Sequence, residues 1–202
     1  QLAAANATAE LQQTDISVQA DVDALMETVG DRVDLLANVA GIMDHFLPLS
    51  EVDDETWNRV MGVNLDGVMR LTRAVLPLMQ AAGSGAVVAV ASEASLRGGS
   101  AGVAYTCSKH AVVGLVQHVA YFYGPLGIRC NAVLPGPVAT GIGATAEPRS
   151  PWAMERAMLS FAVMGPMAQP ESISSVISWL GSDEASNVNG AILAADGGWS
   201  AA

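Results

Sequence analysis

Residues 86–123, AVVAVASEASLRGGSAGVAYTCSKHAVVGLVQHVAYFY, carry the reading that decides the fold. Ala86 to Ala91 is a continuous apolar run of strand length. It lacks the polar alternation of a half-solvated strand, so it reads as a buried strand of a parallel sheet. Residues 103–123 are apolar nearly all round over a long helical stretch. Such a helix is usually buried on two sides, often partly by another subunit. Ser92 stands just past the strand, and Tyr105-Thr106-Cys107-Ser108-Lys109 opens the helix.

Working outward, the same alternation continues. Ala9 to Thr14 reads as a strand, residues 19–29 as a helix with Val22, Leu25, Met26 and Val29 at helical spacing, and Val33 to Ala37 as a short buried strand. Residues 53–80 read as one long helix, with Asp53 or Asp54 at its start because acidic side chains favour a helix N-terminus. Pro77 near its end is a candidate kink, and Gly83-Ser84-Gly85 breaks the chain. Downstream come a strand at Ile128 to Val133, a Pro/Gly-rich loop, helices at 151–163 and 171–180, and a last strand at Ala191 to Ala195. Apolar strands alternating with helices imply a mostly parallel sheet covered on both faces, the doubly wound, Rossmann-like α/β class. No repeat or low-complexity linker divides the 202 residues, so a single domain is expected.

Composition narrows the function. Half of the chain is hydrophobic (51%) and only 14% is charged, which suits a compact globule rather than a disordered segment. A net charge of −11 repels nucleic-acid backbones and disfavours an acidic protein partner such as an acyl carrier protein. Cys107 and Cys130 form neither a disulfide framework nor a metal-ligand spacing. They are expected to be small buried thiols in a reducing cytosol, and the protein is expected to be cytoplasmic. No His/Asp/Glu cluster suggests a metal. Gln117 and His118 interrupt the most hydrophobic region, so no membrane span is expected. Gln1 to Ala5 lacks the basic start and apolar core of a signal peptide. Asn6-Ala7-Thr8 is a glycosylation sequon in form only.

The chemistry begins with Tyr105 and Lys109. Positions i and i+4 share a helix face, so these side chains are neighbours. A free tyrosine ionises near pH 10, too high for a base at neutral pH. A nearby ammonium favours the phenolate and lowers that value. The bare pair would ordinarily be a solvated helical contact, and Ser92 alone an ordinary turn serine. Ser92, however, follows a strand whose carboxyl end is where parallel α/β sheets bind ligands.

Ser92, Tyr105 and Lys109, in this order and spacing, resemble the catalytic set of the short-chain dehydrogenases/reductases. Further motifs resemble that family in sequence order. Thr14-Asp15-Ile16-Ser17 places Asp15 where the family contacts adenine. Asn38-Val39-Ala40-Gly41 is similar to its NNAG motif, with Val39 in place of the second Asn. Trp57-Asn58-Arg59-Val60 and Val63-Asn64-Leu65 match the helix that carries the fourth catalytic residue, Asn64. Pro135-Gly136-Pro137-Val138-Ala139-Thr140 resembles its PG loop, whose Thr contacts the cofactor. Ser182 to Ser186 and Asp196-Gly197-Gly198 resemble its C-terminal signature. The resemblance implies NAD or NADP as cofactor, held by Asp15, Asn38, Ala40, Gly41, Tyr105, Lys109, Pro135, Gly136, Val138 and Thr140. It implies Tyr105 as general acid/base, Ser92 as the group polarising the substrate oxygen, Lys109 as the residue lowering the tyrosine pKa and binding the ribose, and Asn64 as part of a proton relay to Lys109.

The family's first strand, Gly-rich turn and helix have no counterpart here: no GxxxGxG pattern occurs in the 202 residues. The expectation is that these residues are part of a longer active enzyme rather than a true fragment, with the NAD/NADP choice made in the absent piece. Residues 141–168, rich in Met and aromatics, would be the substrate lid, although ordinary core packing explains them equally well. His45 is read as a solvated loop residue with a pocket-lining alternative, and His110 and His118 as packing or interface residues. The expected function is oxidation of a secondary alcohol or reduction of a ketone, by a homo-oligomer (dimer or tetramer) joined through helices 53–80 and 103–123. A 3-oxoacyl thioester reductase is the rival within the enzyme class. A non-catalytic or truncated scaffold is the rival outside it.

Overall fold

The computed structural model describes residues 9–202, except the side chains of residues 144 and 145. Expectations for Gln1 to Ala5 and for Asn6-Ala7-Thr8 therefore lie outside the described residues. Four strands, β1 (Leu35–Asn38), β2 (Gly85–Val90), β3 (Ile128–Pro135) and β4 (Ile192–Ala195), pair in chain order, each parallel to the next. The helices between and around them are α1 (Gln19–Thr28), α2 (Asp54–Met61), α3 (Val68–Ala82), α4 (Val103–Tyr123), α5 (Pro151–Phe161) and α6 (Pro170–Gly181).

The two central strands are mostly apolar because helices cover both faces. Val87 and Ala89 of β2, with Cys130, Ala132 and Leu134 of β3, share a core with Val75 and Met79 of α3 and Val112, Val116 and Val119 of α4. The intervening residues Val88 and Val133 point the other way, onto Ile173 and Leu180 of α6. This is the two-residue period of a strand distributing one sequence between two layers. Each fully buried Val or Leu contributes roughly 1.5–3 kcal/mol, so the two central strands anchor the site at their carboxyl ends.

Helix ends follow from local chemistry. Asp53 caps α2 by accepting from the Thr56 N–H at 2.6 Å. Gly83, at φ +65°, closes α3 in the left-handed conformation that glycine adopts without strain. The Arg129 guanidinium donates to the carbonyls of Leu180 (2.7 Å) and Ser182 (3.0 Å), where α6 ends and its dipole is negative.

Three expectations need correction. Ala9 to Thr14 is not a strand. A strand must pair its N–H and C=O groups with a neighbour, and in the described sheet β1 pairs with β2 alone. The helix read as 53–80 is α2 and α3 joined by a π-helical segment at Gly62–Gly67; the helix passes through Pro77 and runs on to Ala82. Finally, Cys107 is exposed, whereas Cys130 is buried as expected. Cys107 is two residues from Tyr105, about 200° round the helix, so burial of Tyr105 turns the thiol outward.

The remaining face of α4 is open in this chain. Tyr121 and Phe122 are exposed, with His118 tilted against Phe122 at 4.5 Å between ring centroids. No helix among the described residues is long and apolar enough to cross a membrane.

Candidate active site

Ser92 stands just past the carboxyl end of β2, Tyr105 in the first turn of α4, and Lys109 one turn further on. Asn64 comes from the π-helical segment, which packs on α4. The fold therefore brings all four expected catalytic residues to one end of the sheet. Ser92 lies near enough to the Tyr105 phenol to act on its pKa, and the Ala94 N–H donates to Ser92 Oγ at 3.1 Å. Lys109 is 2% exposed; its Nζ donates to the Val90 carbonyl at 2.8 Å and lies 5.5 Å from the centroid of the Tyr105 ring.

Asn64 is fully buried and serves as a tie. Its Oδ1 accepts from the Ile42 N–H (2.9 Å), and its Nδ2 donates to the Ile42 carbonyl (3.0 Å) and to Ser108 Oγ (3.2 Å). Ser108 in turn donates to the Tyr105 carbonyl at 2.7 Å. Three elements are thereby locked: the loop after β1, the π-helical segment and α4.

The electrostatics differ from the sequence expectation in one respect. Tyr105, only 7% exposed, is held above its ordinary pKa of 10.0. Burial is the main cause. The negative charge of Asp44 acts in the same direction, and the nearby Ser92 hydroxyl opposes both. Lys109, the expected cause of a lowering, is not among the causes of the Tyr105 shift; burial brings Lys109 itself from 10.5 down to about 8. The phenol therefore stands protonated at neutral pH.

Of the residues expected to hold the cofactor, Gly41 borders this centre directly. Asn38, at the end of β1, is buried; its Nδ2 donates to Thr72 Oγ1 at 3.2 Å and its Oδ1 has no protein partner among the described residues. Val39 and Ala40 beyond it are exposed. At Gly41 a Cβ would lie 3.3 Å from Lys109 Nζ and 3.5 Å from Asn64 Oδ1, so only glycine leaves the ammonium uncrowded. Pro135, Gly136 and Val138 form the loop after β3. Its backbone is pinned to Ala168 by the Ala139 N–H to Ala168 carbonyl and the Ala168 N–H to Pro137 carbonyl bonds, both 2.9 Å. Thr140 caps the turn that follows. Asp15 is exposed across the chain's entry to α1, where Ser17 donates to it from N–H and hydroxyl and lowers its pKa. An unpartnered buried acceptor, an ammonium with donors beyond its Val90 bond, and an open strand end fit the nicotinamide-ribose part of a dinucleotide. The glycine-rich phosphate turn is not in this sequence.

Ile142 and Ala146 pack on the buried cluster that contains Tyr105, Met43 and Ala104. A separate cleft of about 520 Å3, between α5, Phe46–Leu49 and Gly98–Val103, is lined by neither Ser92 nor Tyr105.

Sequence reasoning missed several supporting residues. Glu93, 1% exposed beside Ser92, forms an ion pair with Arg97 Nε at 2.5 Å. Asn131 on β3 donates to the Val188 carbonyl and accepts from the Ala191 N–H, both at 2.9 Å, and so fixes the approach to β4. A polar residue inside an apolar strand was the available signal. Asp44, fully buried, accepts from the N–H groups of Gly102 (3.1 Å) and Tyr105 (2.9 Å). His45 is not a free loop residue: its Nδ1 meets the Glu147 carbonyl at 3.0 Å, and its own carbonyl accepts from the Arg149 N–H at 3.1 Å.

Comparison with known proteins identifies the family. A family model described as enoyl-(acyl carrier protein) reductase matches residues 1–200. The chain is similar to 3beta-hydroxysteroid dehydrogenase 2 of Eggerthella lenta, 44% identical over 185 residues, covering 91% of this chain and 71% of that protein. It is 40% identical over 195 residues to a short-chain dehydrogenase/reductase of Talaromyces verruculosus, covering 92% of this chain and 76% of that one. Among solved structures, levodione reductase superposes with TM-score 0.83 at 32% identity, covering 94% of this chain and 76% of the other. A structure described as an NAD(P)-dependent gluconate 5-dehydrogenase from Beutenbergia cavernae, with bound NADP, superposes with TM-score 0.85 at 37% identity, covering 100% of this chain and 80% of the other. The chain belongs to the short-chain dehydrogenase/reductase family of NAD(P)-dependent oxidoreductases.

Proposed function

We propose that this protein interconverts a bulky, apolar secondary alcohol and its ketone, with Tyr105 as the proton-transferring group. The observation that carries the reading is the buried cluster in which Ser92 lies near the Tyr105 phenol while the Lys109 ammonium stands 5.5 Å from the ring. When bound, the nicotinamide supplies or accepts the hydride. In the reducing direction, the protonated Tyr105 donates its proton to the carbonyl oxygen as the oxygen gains charge. Ser92 donates a hydrogen bond to the same oxygen. The Lys109 ammonium, held by the Val90 carbonyl, stabilises the phenolate left behind. In the oxidising direction the phenolate takes the alcohol proton.

The exposed apolar side chains Trp152, Met158, Leu159, Met164 and Met167 support residues 141–168 as a substrate lid hinged at the Ala139–Ala168 pairing. The relative named as a 3beta-hydroxysteroid dehydrogenase favours a rigid polycyclic alcohol. The net charge of −11 disfavours a substrate carried on an acidic protein, which sets the thioester reductase second. Asp15, Asn38, Ala40, Gly41, Pro135, Gly136, Val138 and Thr140 would line the cofactor. The open faces of α2, α3 and α4 would join a homodimer or tetramer in the cytoplasm.

The test is steady-state oxidation of a 3β-hydroxysteroid and of smaller secondary alcohols, with NAD and NADP, by the full-length enzyme and by Tyr105→Phe. The variant should fold and bind cofactor as the parent does, with kcat lower by about 10²–10⁴-fold. Undiminished turnover in Tyr105→Phe would end this reading.

A further inference from the structure

We propose that Asp44 is a positioning residue for Tyr105, acting through the N-terminus of α4; the assignment rests on Tyr105 being the acid/base. Helix α4 lacks a cap of its own, because its N-cap residue is Gly102. A Ser or Asp there would normally bind the N–H two or three residues on. Asp44 provides that bond from another part of the chain. One carboxylate oxygen accepts from the Gly102 N–H at 3.1 Å and the other from the N–H of Tyr105 itself at 2.9 Å. The Phe46 N–H adds a third bond at 3.3 Å. The side chain is fully buried, and its charge sits at the positive end of the helix dipole.

Two features indicate that the arrangement is specific. At Gly102 a Cβ would stand 2.5 Å from both Asp44 oxygens, so a local cap and the remote one cannot coexist. Directly after Asp44, His45 and Phe46 take φ values of +58° and +55°, a left-handed conformation that side-chain-bearing residues rarely adopt. The turn so formed also carries the His45 contacts to Glu147 and Arg149 and the edge-on contact of Phe46 with Phe161 of α5. One strained turn thus bears on both the catalytic helix and the segment over the substrate.

The charge has a second consequence. Two titratable groups stand near Tyr105: Lys109 of its own helix, whose Nζ lies 5.5 Å from the ring, and Asp44 from the loop after β1, while buried Glu93 of the turn packed on α4 is ion-paired with Arg97. Asp44 opposes ionisation of Tyr105. Its removal favours the phenolate, so the Tyr105 titration should move to lower pH.

The experiment uses the full-length enzyme and four variants: Asp44→Asn, Asp44→Ala, Gly102→Ser, and Asp44→Ala combined with Gly102→Ser. Tyr105 ionisation is followed by tyrosinate absorbance, after subtraction of the same titration in a Tyr105→Phe background. This readout needs no substrate. Turnover and cofactor Kd are measured alongside. Asp44→Asn should lower kcat by at least about tenfold, as expected for a slightly misplaced acid/base. Its cofactor Kd should stay near the parent's and its Tyr105 titration should fall. Gly102→Ser alone should be impaired by collision with Asp44. In the double variant the serine has room to cap the helix, and kcat should recover well above that of Asp44→Ala. Should Asp44→Ala not fold, the nearly isosteric Asp44→Asn carries the test through its titration. An unmoved Tyr105 titration with parental kcat in Asp44→Asn, or a double variant no better than Asp44→Ala, overturns the assignment. Full activity in Tyr105→Phe would instead overturn the reading of the site, and leaves the double-variant comparison of folding to judge the cap.

Discussion

Replacing Lys109 with Met should trade turnover for stability, and the trade should depend on pH in a calculable way. Lys109 is buried, and its pKa falls from 10.5 in the unfolded chain to about 8 in the folded one. At about 1.36 kcal/mol per pH unit, the folded protein carries a penalty of roughly 3.4 kcal/mol whenever both states hold the proton, that is below pH 8. Between pH 8 and 10.5 the unfolded chain binds more protons than the folded one, so the penalty is relieved as pH rises. From pH 7 to 9.5 the relief amounts to about 2 kcal/mol. Met fills similar volume, carries no charge and lacks this pH dependence. It also abandons the Val90 carbonyl, a loss of about 1–3 kcal/mol. The variant should therefore be at least as stable as the parent at pH 7 and should lose about 2 kcal/mol relative to it by pH 9.5. Urea denaturation of both proteins without cofactor, at pH 7, 8, 9 and 9.5, measures the difference. Buried Cys130, pushed up to about 12, also titrates differently on folding, but it is common to both proteins and cancels. Stability curves that run parallel across this range would refute the reasoning, as would a parent that loses ground to the variant as pH rises.

Other outcomes follow from single contacts. Ser92→Ala removes the hydroxyl proposed to polarise the substrate oxygen and should lower kcat by about 10²–10³-fold with little change in cofactor affinity, as read by steady-state kinetics and fluorescence titration. Gly85→Ala would set a methyl 2.5 Å from Met79 Sδ and 2.6 Å from its Cγ in a closed core, and should cost about 1–3 kcal/mol in urea denaturation, with kcat unchanged in the surviving folded protein.

The fold was legible because its signals are local. Continuous apolar runs marked β2 and β3, and α4 begins and ends where its apolar stretch does. Tyr105 and Lys109 were readable as partners because one helical turn fixes their proximity. The failures lie where distant segments decide. Whether Ala9 to Thr14 forms a strand depends on a pairing neighbour that its own residues do not specify. The acidity of Tyr105 depends on burial by Met43, Ile142 and Ala146, from separate loops. Asp44 caps a helix that begins 59 residues later, so no spacing rule points to it.

The π-helical segment shows how a pattern can contain an answer that a coarser reading passes over. Thr56, Val60, Asn64, Val68, Thr72 and Leu76 are all buried, at a strict spacing of four. In an α-helix of 3.6 residues per turn, each step of four overshoots a full turn by roughly 40°. Five such steps would carry the buried side about 200° round, so that Leu76 would face away from Thr56. A straight α-helix cannot keep that series inward; the usual apolar stripe alternates steps of three and four. A π turn closes its hydrogen bonds over five residues instead of four and so rotates less per residue. Placed at Gly62–Gly67, it takes back part of the accumulated rotation. The buried side of α2, which packs on α4, and that of α3, which packs on the sheet, then stay on one side of the rod. Asn64 stands in the middle of this correction, and the wider turn is what aims its amide at Ile42 and Ser108. The irregularity thus belongs to the arrangement around Tyr105: the residue that ties the loop after β1 to the helix of Tyr105 is delivered by the π-helical stretch of the 54–82 rod.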